Sequence, residues 1–101
     1  MENNREFIIS PEAIKDLGEI WDYIALDSLT NADRFIDFLY KKMLSLSELD
    51  GVGRTRNELV EGMLSLPVNR YIIFFTRTEQ RIEIARVLSS SGDIETIFDR
   101  K

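Results

Sequence analysis

The stretch RYIIFFTR, residues 70–77, is apolar on both sides when drawn as an extended strand. Its apolar side chains divide between the two faces, with Tyr71, Ile73 and Phe75 on one and Ile72 and Phe74 on the other. A strand of this kind lies in a sheet that is covered on both sides, or one of its faces awaits a partner. Residues 70–77 are therefore predicted to form the central strand.

Two shorter segments are predicted to pair with this central strand. MLSLP, residues 63–67, is a short strand that ends at Pro67 and is followed by a turn at residues 68–69. RIEIARVL, residues 81–88, follows a turn at residues 78–80. Short turns between neighbouring strands are typical of hairpins, so the three segments are predicted to form an antiparallel sheet.

The last strand runs into a serine-rich turn and then into a short C-terminal helix. The two-residue period of a strand divides its side chains between two faces, with Ile82, Ile84 and Arg86 on one and Ala85 and Val87 on the other. Ser91 is the predicted N-cap of the helix, and Ile94 and Phe98 are the side chains predicted to anchor it.

An amphipathic helix is predicted near the N-terminus. EFIIS, residues 6–10, is a short strand that ends where Ser10 and Pro11 begin a helix extending to about Asp27. Its apolar residues recur at helical spacing and are Ala13, Leu17, Ile20 and Ile24, with Ile14 and Trp21 beside them. The opposite side is predicted to carry Lys15, Asp16, Glu19 and Asp22.

A second helix is predicted after a short break. Thr30 and Asp33 fit a capping box, with Thr30 as the N-cap. The helix then carries an apolar stripe made of Phe35, Ile36, Leu39, Tyr40, Met43, Leu44 and Leu46. Because the break is short, the two helices are predicted to form an antiparallel hairpin.

The predicted order is strand, helix, helix, three strands and a short helix, in a single domain covering residues 1–101. This is an α+β fold in which the helix hairpin packs on one face of a small antiparallel sheet. The other face stays open, and the two-sided apolar strand predicts that part of it is not polar. An exposed apolar patch of this kind is typical of a partner site.

Composition and charge exclude several kinds of function. The chain contains no cysteine and no histidine, which excludes thiolate chemistry and leaves no side chain that titrates near neutrality unaided. The formal charge of −5 argues against strong direct binding to nucleic acid. No apolar segment resembles a membrane span or a signal peptide, so a cytoplasmic protein is expected. No metal and no cofactor are expected either.

The irregular stretch LDGVGRTRNELVEG, residues 49–62, contains two arginines that are predicted to be exposed. Gly51 and Gly53 are predicted to end the second helix and form a turn, since neither glycine-rich nucleotide motif is complete. Arg54 and Arg56 are either recognition residues or ordinary loop charges.

Taken together, these segments resemble the ParE branch of the RelE/ParE toxin superfamily. The matching stretches are SPEAIKDLGEIWDYIA (10–25), FIDFLYKKMLSLSEL (35–49), GRTRNEL (53–59), LSLPVNRYIIFFTR (64–77) and IEIARVL with DIETIF (within 82–98). The resemblance implies the toxin of a bacterial type II toxin–antitoxin pair, with a cognate ParD-like antitoxin as partner. It further implies that the target is DNA gyrase and that the toxin has no catalytic residues of its own.

Two alternatives stay open within the resemblance. RelE-type relatives share the fold but cut messenger RNA at the ribosome, using Tyr, His, Lys or Arg on the sheet and at the end of the last strand. Here that strand end reads Leu88, Ser89 and Ser90, which supplies no His, Tyr or Lys. ParE-like sequences often carry a His-Gly-Ala-Arg-type stretch where this chain has Ser89–Gly92. The second alternative is therefore a degenerate, non-toxic protein that still binds an antitoxin.

Two sets of contact residues are predicted on this basis. An apolar groove beside the helix hairpin and sheet is expected to hold the antitoxin, and it involves Trp21, Ile24, Phe35, Leu39 and Phe75. Contacts with the target, or with acidic residues of the antitoxin, are expected from Arg54, Arg56, Arg70, Arg77 and Arg86.

Overall fold

The protein folds as a helix hairpin on a five-stranded sheet, in a computed structural model that describes residues 5–99. The elements in chain order are β1 Glu6–Ile9, α1 Pro11–Ala25, α2 Leu29–Leu46, β2 Arg54–Thr55, β3 Leu64–Val68, β4 Tyr71–Arg77, β5 Arg81–Ser89 and α3 Ile94–Asp99. The ends of the predicted domain, residues 1–4 and 100–101, lie outside the described residues. Within residues 5–99, no helix is both long enough and apolar enough to cross a membrane.

The sheet has the order β1-β5-β4-β3-β2, which places β4 at its centre and confirms the interpretation of residues 70–77. Strands β3, β4 and β5 pair antiparallel, as the short turns predicted. The two-residue strand β2 lies in the stretch predicted to be irregular and pairs antiparallel to β3. The N-terminal strand differs, because β1 pairs parallel to β5. The sheet is therefore mixed, because β1 adds one parallel pair to the antiparallel strands that the sequence predicted.

Each face of β4 packs into its own apolar cluster. On the helix side, Ile73 and Phe75 lie in a core with Ile20 of α1 and Leu39 of α2. On the other side, Phe74 lies in a second cluster whose other buried members are Met63 and Leu88 and against which Leu59, Ile72, Ala85, Ile94, Ile97 and Phe98 pack. The prediction that this second face stays open was wrong at its apolar part, because α3 and the turn before β3 cover it.

A β-bulge in β5 changes which side chains share a face. Phe74 pairs with Arg86 whereas Phe75 pairs with Ile84, so the residue between them on β5 is unpaired. The extra residue shifts the alternation, and Val87 joins Ile82 and Ile84 in the core under the helices. The prediction that Arg86 shares their face was wrong for this reason.

Serine side chains cap the N-termini of α1 and α2 by local hydrogen bonds. Ser10 caps α1 as predicted, since its Oγ accepts from the backbone N–H of Ala13 at 3.0 Å. The N-cap of α2 is Ser28, whose Oγ accepts from the N–H of Asn31 at 3.1 Å. The assignment of Thr30 as N-cap was wrong, because α1 ends at Ala25 and leaves room for α2 to begin earlier.

The short helix α3 is also capped by another residue than predicted. Asp93 Oδ1 accepts from the backbone N–H of Thr96 at 3.4 Å, and Asp93 Oδ2 accepts from the Thr96 hydroxyl at 2.7 Å. Asp93 rather than Ser91 therefore serves as the cap. The predicted anchors Ile94 and Phe98 are confirmed, and the rings of Phe74 and Phe98 meet edge to face at 4.9 Å.

Gly53 is a position where only glycine fits the backbone. Its φ is +110°, and an added Cβ would lie 2.8 Å from Cζ of Phe75. We expect Gly53→Ala to lower the free energy of unfolding by about 2 kcal/mol, through backbone strain and the clash with the ring. Gly18 in α1 has open space around it, so Gly18→Ala should instead stabilise by about 0.5–1 kcal/mol. Urea unfolding of both variants checks this, and equal effects would contradict it.

Candidate functional site

An open apolar groove of about 490 Å³ lies beside the helix hairpin. Its lining consists of Ile24 of α1, then Asn31, Arg34, Phe35 and Phe38 of α2, and Asn69 from the turn between β3 and β4. Phe38 is 40% exposed, although it is a large apolar side chain. The guanidinium of Arg34 makes no hydrogen bond or ion pair with any of residues 5–99. The groove thus combines an apolar floor with a free cation and two amides.

The tip of the helix hairpin extends this apolar surface. Tyr23, Leu26 and Leu29 are 71%, 86% and 62% exposed, and they surround the link between α1 and α2. Tyr23 and Leu26 share a shallow depression with Ile24, which also lines the groove. Large apolar side chains exposed together in this way are typical of a protein–protein contact.

Only some of the residues predicted for antitoxin contact line the groove, and others are buried in the core. Ile24 and Phe35 line the groove. Trp21 is half-buried and its Nε1–H donates to Asp33 at 2.8 Å, which ties the two helices together. Leu39 and Phe75 are completely buried, so no partner reaches them in this conformation.

The side chain of Arg77 bonds the backbone at and after the C-terminal end of α2. Its Nη1 donates to the carbonyl of Val52 at 3.2 Å and its Nη2 to the carbonyl of Leu46 at 3.4 Å, while the guanidinium lies over the ring of Phe75. A cation that bonds the free carbonyls at a helix C-terminus stabilises that end. Burial lowers the pKa of Arg77 below its ordinary value. These contacts hold both Nη atoms of Arg77 within the protein, whereas its buried Nε has no hydrogen-bond partner among the described residues.

Arg86 forms a bidentate ion pair with Asp16 of α1. Its Nε and Nη2 donate to the two carboxylate oxygens at 2.8 and 2.9 Å, and the backbone N–H of Val87 donates to the same carboxylate at 2.9 Å. The hydrogen bonds to Asp16 raise the pKa of Arg86 above its ordinary value. Asp16 is only 6% exposed, so its prediction as a residue of the solvent side was wrong.

The remaining three predicted arginines differ in how firmly they are held. Arg56 donates to Glu58 at 2.7 Å and lies over the ring of Phe74, and its hydrogen bond lowers the pKa of that carboxyl. Arg54 and Arg70 are exposed, and their guanidinium groups make no hydrogen bond or ion pair with any of the described residues.

A second pocket, of about 540 Å³, lies where β4 begins and β5 ends. It is lined by Tyr23, Arg70, Tyr71, Ser89, Ser90 and Ser91. Tyr71 pairs with Ser89 in the ladder, and the N–H of Ser90 donates to the carbonyl of Arg70 at 2.8 Å. The serine-rich turn therefore lies directly against Arg70.

Comparison with protein families identifies the chain. Residues 7–94 match the family described as "ParE toxin of type II toxin-antitoxin system, parDE". The chain belongs to the ParE toxin family. No curated protein matches it.

The fold of this ParE-family chain also occurs in a solved structure. A chain from the "Chromosomal ParDE TA system from P. aeruginosa" superimposes with a TM-score of 0.76 at 21% sequence identity. The match covers 86% of this chain and 97% of that chain. At this identity the likeness confirms the α+β fold of a strand, a helix hairpin, a small sheet and a short C-terminal helix.

The site of this ParE-family chain includes residues that the sequence pattern did not point to. Phe38 and Arg34 lie beside the predicted stripe of α2, so their place in the groove depends on how the helix is rotated. The place of Tyr71 beside the end of β5 follows from the hairpin register, because Tyr71 is the first residue of β4 and pairs with Ser89, the last residue of β5. Tyr23 reaches the same place through the packing of α1, for which the sequence carries no local signal.

Proposed function

We propose that this ParE-family protein is a toxin that inhibits DNA gyrase by surface contact and is neutralised by a ParD-like antitoxin. The observation that carries the proposal is the family match, which extends over residues 7–94 and so includes α1, α2 and all five strands except the first residue of β1. Gyrase inhibition needs a binding surface rather than a proton-transfer pair. The absence of histidine from the chain supports an inhibitor of this kind.

The groove beside the helix hairpin is the proposed docking site of the antitoxin. Its floor of Ile24, Phe35 and Phe38 suits the apolar face of an amphipathic helix, which is a common way for one protein to bind another. Arg34 on its rim has no partner within residues 5–99, so an acidic residue of the antitoxin can pair with it. The exposed hairpin tip, formed by Tyr23, Leu26 and Leu29, would continue the contact.

The variant Phe38→Ala tests the docking site. We expect it to weaken the complex with the antitoxin encoded beside the toxin gene by about tenfold or more, because aromatic side chains in apolar grooves dominate such contacts. Leu44→Ala is a matched control, since Leu44 lies on the same helix, is 38% exposed and lies outside the groove. Titration calorimetry on both variants checks the expectation. Equal affinities for the two variants would exclude this groove as the docking site.

Contact with gyrase is proposed for the arginines that the fold leaves available. Arg77 and Arg86 are bonded within the chain, and Arg56 is partly held by Glu58. Arg54 and Arg70 are exposed and have unused donors for carboxylates or phosphates. The proposal for target contact is therefore concentrated on these two residues.

Induction of the protein in bacteria, without an antitoxin, tests the proposed activity. We expect growth arrest with chromosome breaks and induction of the DNA-damage response, because trapped gyrase leaves cleaved DNA. Co-expression of the antitoxin should restore growth. Normal growth at high expression would contradict the proposal and would leave the non-toxic antitoxin binder as the function.

A second candidate, a ribosome-dependent ribonuclease, is favoured by one observation. The pocket at the end of β5 brings together Arg70, Tyr23 and Tyr71, which are residue types that such an enzyme uses. Sequencing of transcript ends after induction separates the candidates. Cleavage within codons, with intact chromosomes, would establish the ribonuclease and overturn the gyrase proposal.

A further inference from the structure

We propose that the pocket at the start of β4 and the end of β5 binds a phosphate group, as inorganic phosphate or as part of a nucleotide. Its volume of about 540 Å³ is sufficient for a phosphate with further atoms attached. The inference concerns binding alone, so it does not depend on whether the protein acts on gyrase or on messenger RNA.

The pocket is rich in unused hydrogen-bond donors. The guanidinium of Arg70 presents five N–H donors, and none of them bonds to any of residues 5–99. The hydroxyl groups of Tyr23, Tyr71 and Ser90 also make no hydrogen bond with the described part of the chain. Hydroxyl groups can also accept, but all the free groups of this pocket can donate and one of them is a cation, which suits a negatively charged ligand made of acceptors.

The serine turn adds a further donor in a fixed position. Ser89 Oγ and Ser91 Oγ lie 2.9 Å apart, and the backbone N–H of Ser91 donates to Ser89 Oγ at 3.3 Å. One hydroxyl donates to the other, so the hydrogen of the second hydroxyl stays available for a ligand. The bond from the N–H of Ser90 to the carbonyl of Arg70 holds the turn against the arginine. These donors are already close together before a ligand arrives.

The charge of the groups around the pocket and the directions of its donors favour phosphate over a carboxylate or a cation. The donors come from α1, from the start of β4 and from the turn after β5, so they approach the pocket from different sides. A tetrahedral anion accepts hydrogen bonds from several directions, whereas a carboxylate has two oxygens in one plane. Asp16 and Glu19 line the neighbouring recess rather than this pocket, and Asp16 is neutralised by Arg86.

A titration with inorganic phosphate at constant ionic strength tests the site. We expect saturable shifts of the backbone amide NMR signals of Ser89, Ser90 and Ser91. Arg70→Gln should weaken this binding by at least about tenfold, since a hydrogen-bonded charge pair is lost. Arg54→Gln is the matched control, because Arg54 is also exposed and without a partner in residues 5–99 but lies outside the pocket. We expect the control to retain the affinity for phosphate.

Two further ligands identify the source of the phosphate. Thymidine monophosphate should bind at the same amides and thymidine should not, and a tighter fit of the monophosphate than of inorganic phosphate would assign the pocket to nucleotides. Equal losses in Arg70→Gln and Arg54→Gln would overturn the proposal, because they would show general attraction by charge. Acetate that binds as well as phosphate, or shifts that do not saturate, would also overturn it.

Discussion

The variant Asp16→Asn will lower the free energy of unfolding by about 3 kcal/mol, because it leaves a partly buried guanidinium without its counter-charge. Asp16 is 6% exposed and accepts both hydrogen bonds from Arg86 as well as one from the N–H of Val87. An asparagine has one oxygen to offer to these donors and turns an N–H group towards one of them. The Asp16 carboxylate raises the pKa of Arg86, and the variant loses this effect, but an arginine keeps its charge at neutral pH without it.

The exposed pair of Asp37 and Lys41 provides the control for Asp16→Asn. The two side chains are 61% and 74% exposed and lie 3.0 Å apart across one helical turn. We expect Asp37→Asn to change the free energy of unfolding by no more than about 0.5 kcal/mol, as is typical of such pairs. Urea unfolding at neutral pH measures both variants. Equal and small effects would contradict the view that Asp16 and Arg86 join α1 to the bulged strand.

Phe75→Ala should cost about 4 kcal/mol, the largest effect expected for the chain, because it opens a cavity in the core under the helices. Phe75 is completely buried, and its ring also lies under the guanidinium of Arg77 and against Gly53. Phe38→Ala is the comparison, and we expect less than about 1 kcal/mol because Phe38 is 40% exposed.

The same two variants separate a core role from a contact role. Phe75→Ala should reduce antitoxin binding only as far as it unfolds the protein, so its folded fraction should bind normally at low temperature. Phe38→Ala should stay folded and bind weakly. Thermal unfolding together with calorimetric binding checks both statements. A stable Phe75→Ala protein that fails to bind antitoxin would show that Phe75 contributes directly to the contact surface.

The central elements of the fold follow from the sequence because they depend on local patterns. The two-sided apolar strand at residues 70–77 predicted the central strand, which β4 is, whereas the prediction that its second face stays open was wrong. The helix hairpin followed from helical spacing, and the cap at Ser10 followed from the Ser-Pro pair. These features need only residues within a few positions of one another.

The features that the sequence did not reveal depend on contacts between distant segments. The bulge that turns Arg86 away from Ile84 lies in the pairing between β4 and β5, and no residue of β5 predicts it from the sequence. The burial of Asp16 depends on a partner 70 positions further along the chain. The helix α3 covers the second face of the sheet, although its six residues read as an ordinary short helix.

In the candidate site, too, local sequence patterns predicted some of the residues and only the folded chain revealed the others. Ile24 and Phe35 were predicted because they belong to apolar stripes, and both line the groove. Leu39 and Phe75 belong to the same patterns but lie deeper, since a stripe does not tell a groove from the core beneath it. The assembly of Arg70, Tyr23 and the serine turn joins three elements, so only the folded chain reveals it.

The most direct measurement for the proposed function uses the purified protein and purified DNA gyrase. In a supercoiling reaction, with relaxed plasmid and ATP, we expect a molar excess of the protein to block supercoiling. After detergent and protease treatment, we expect cleaved linear plasmid to accumulate. Addition of the cognate antitoxin before the protein should abolish both effects. Full supercoiling activity and no cleaved plasmid at molar excess would show that the protein does not inhibit gyrase.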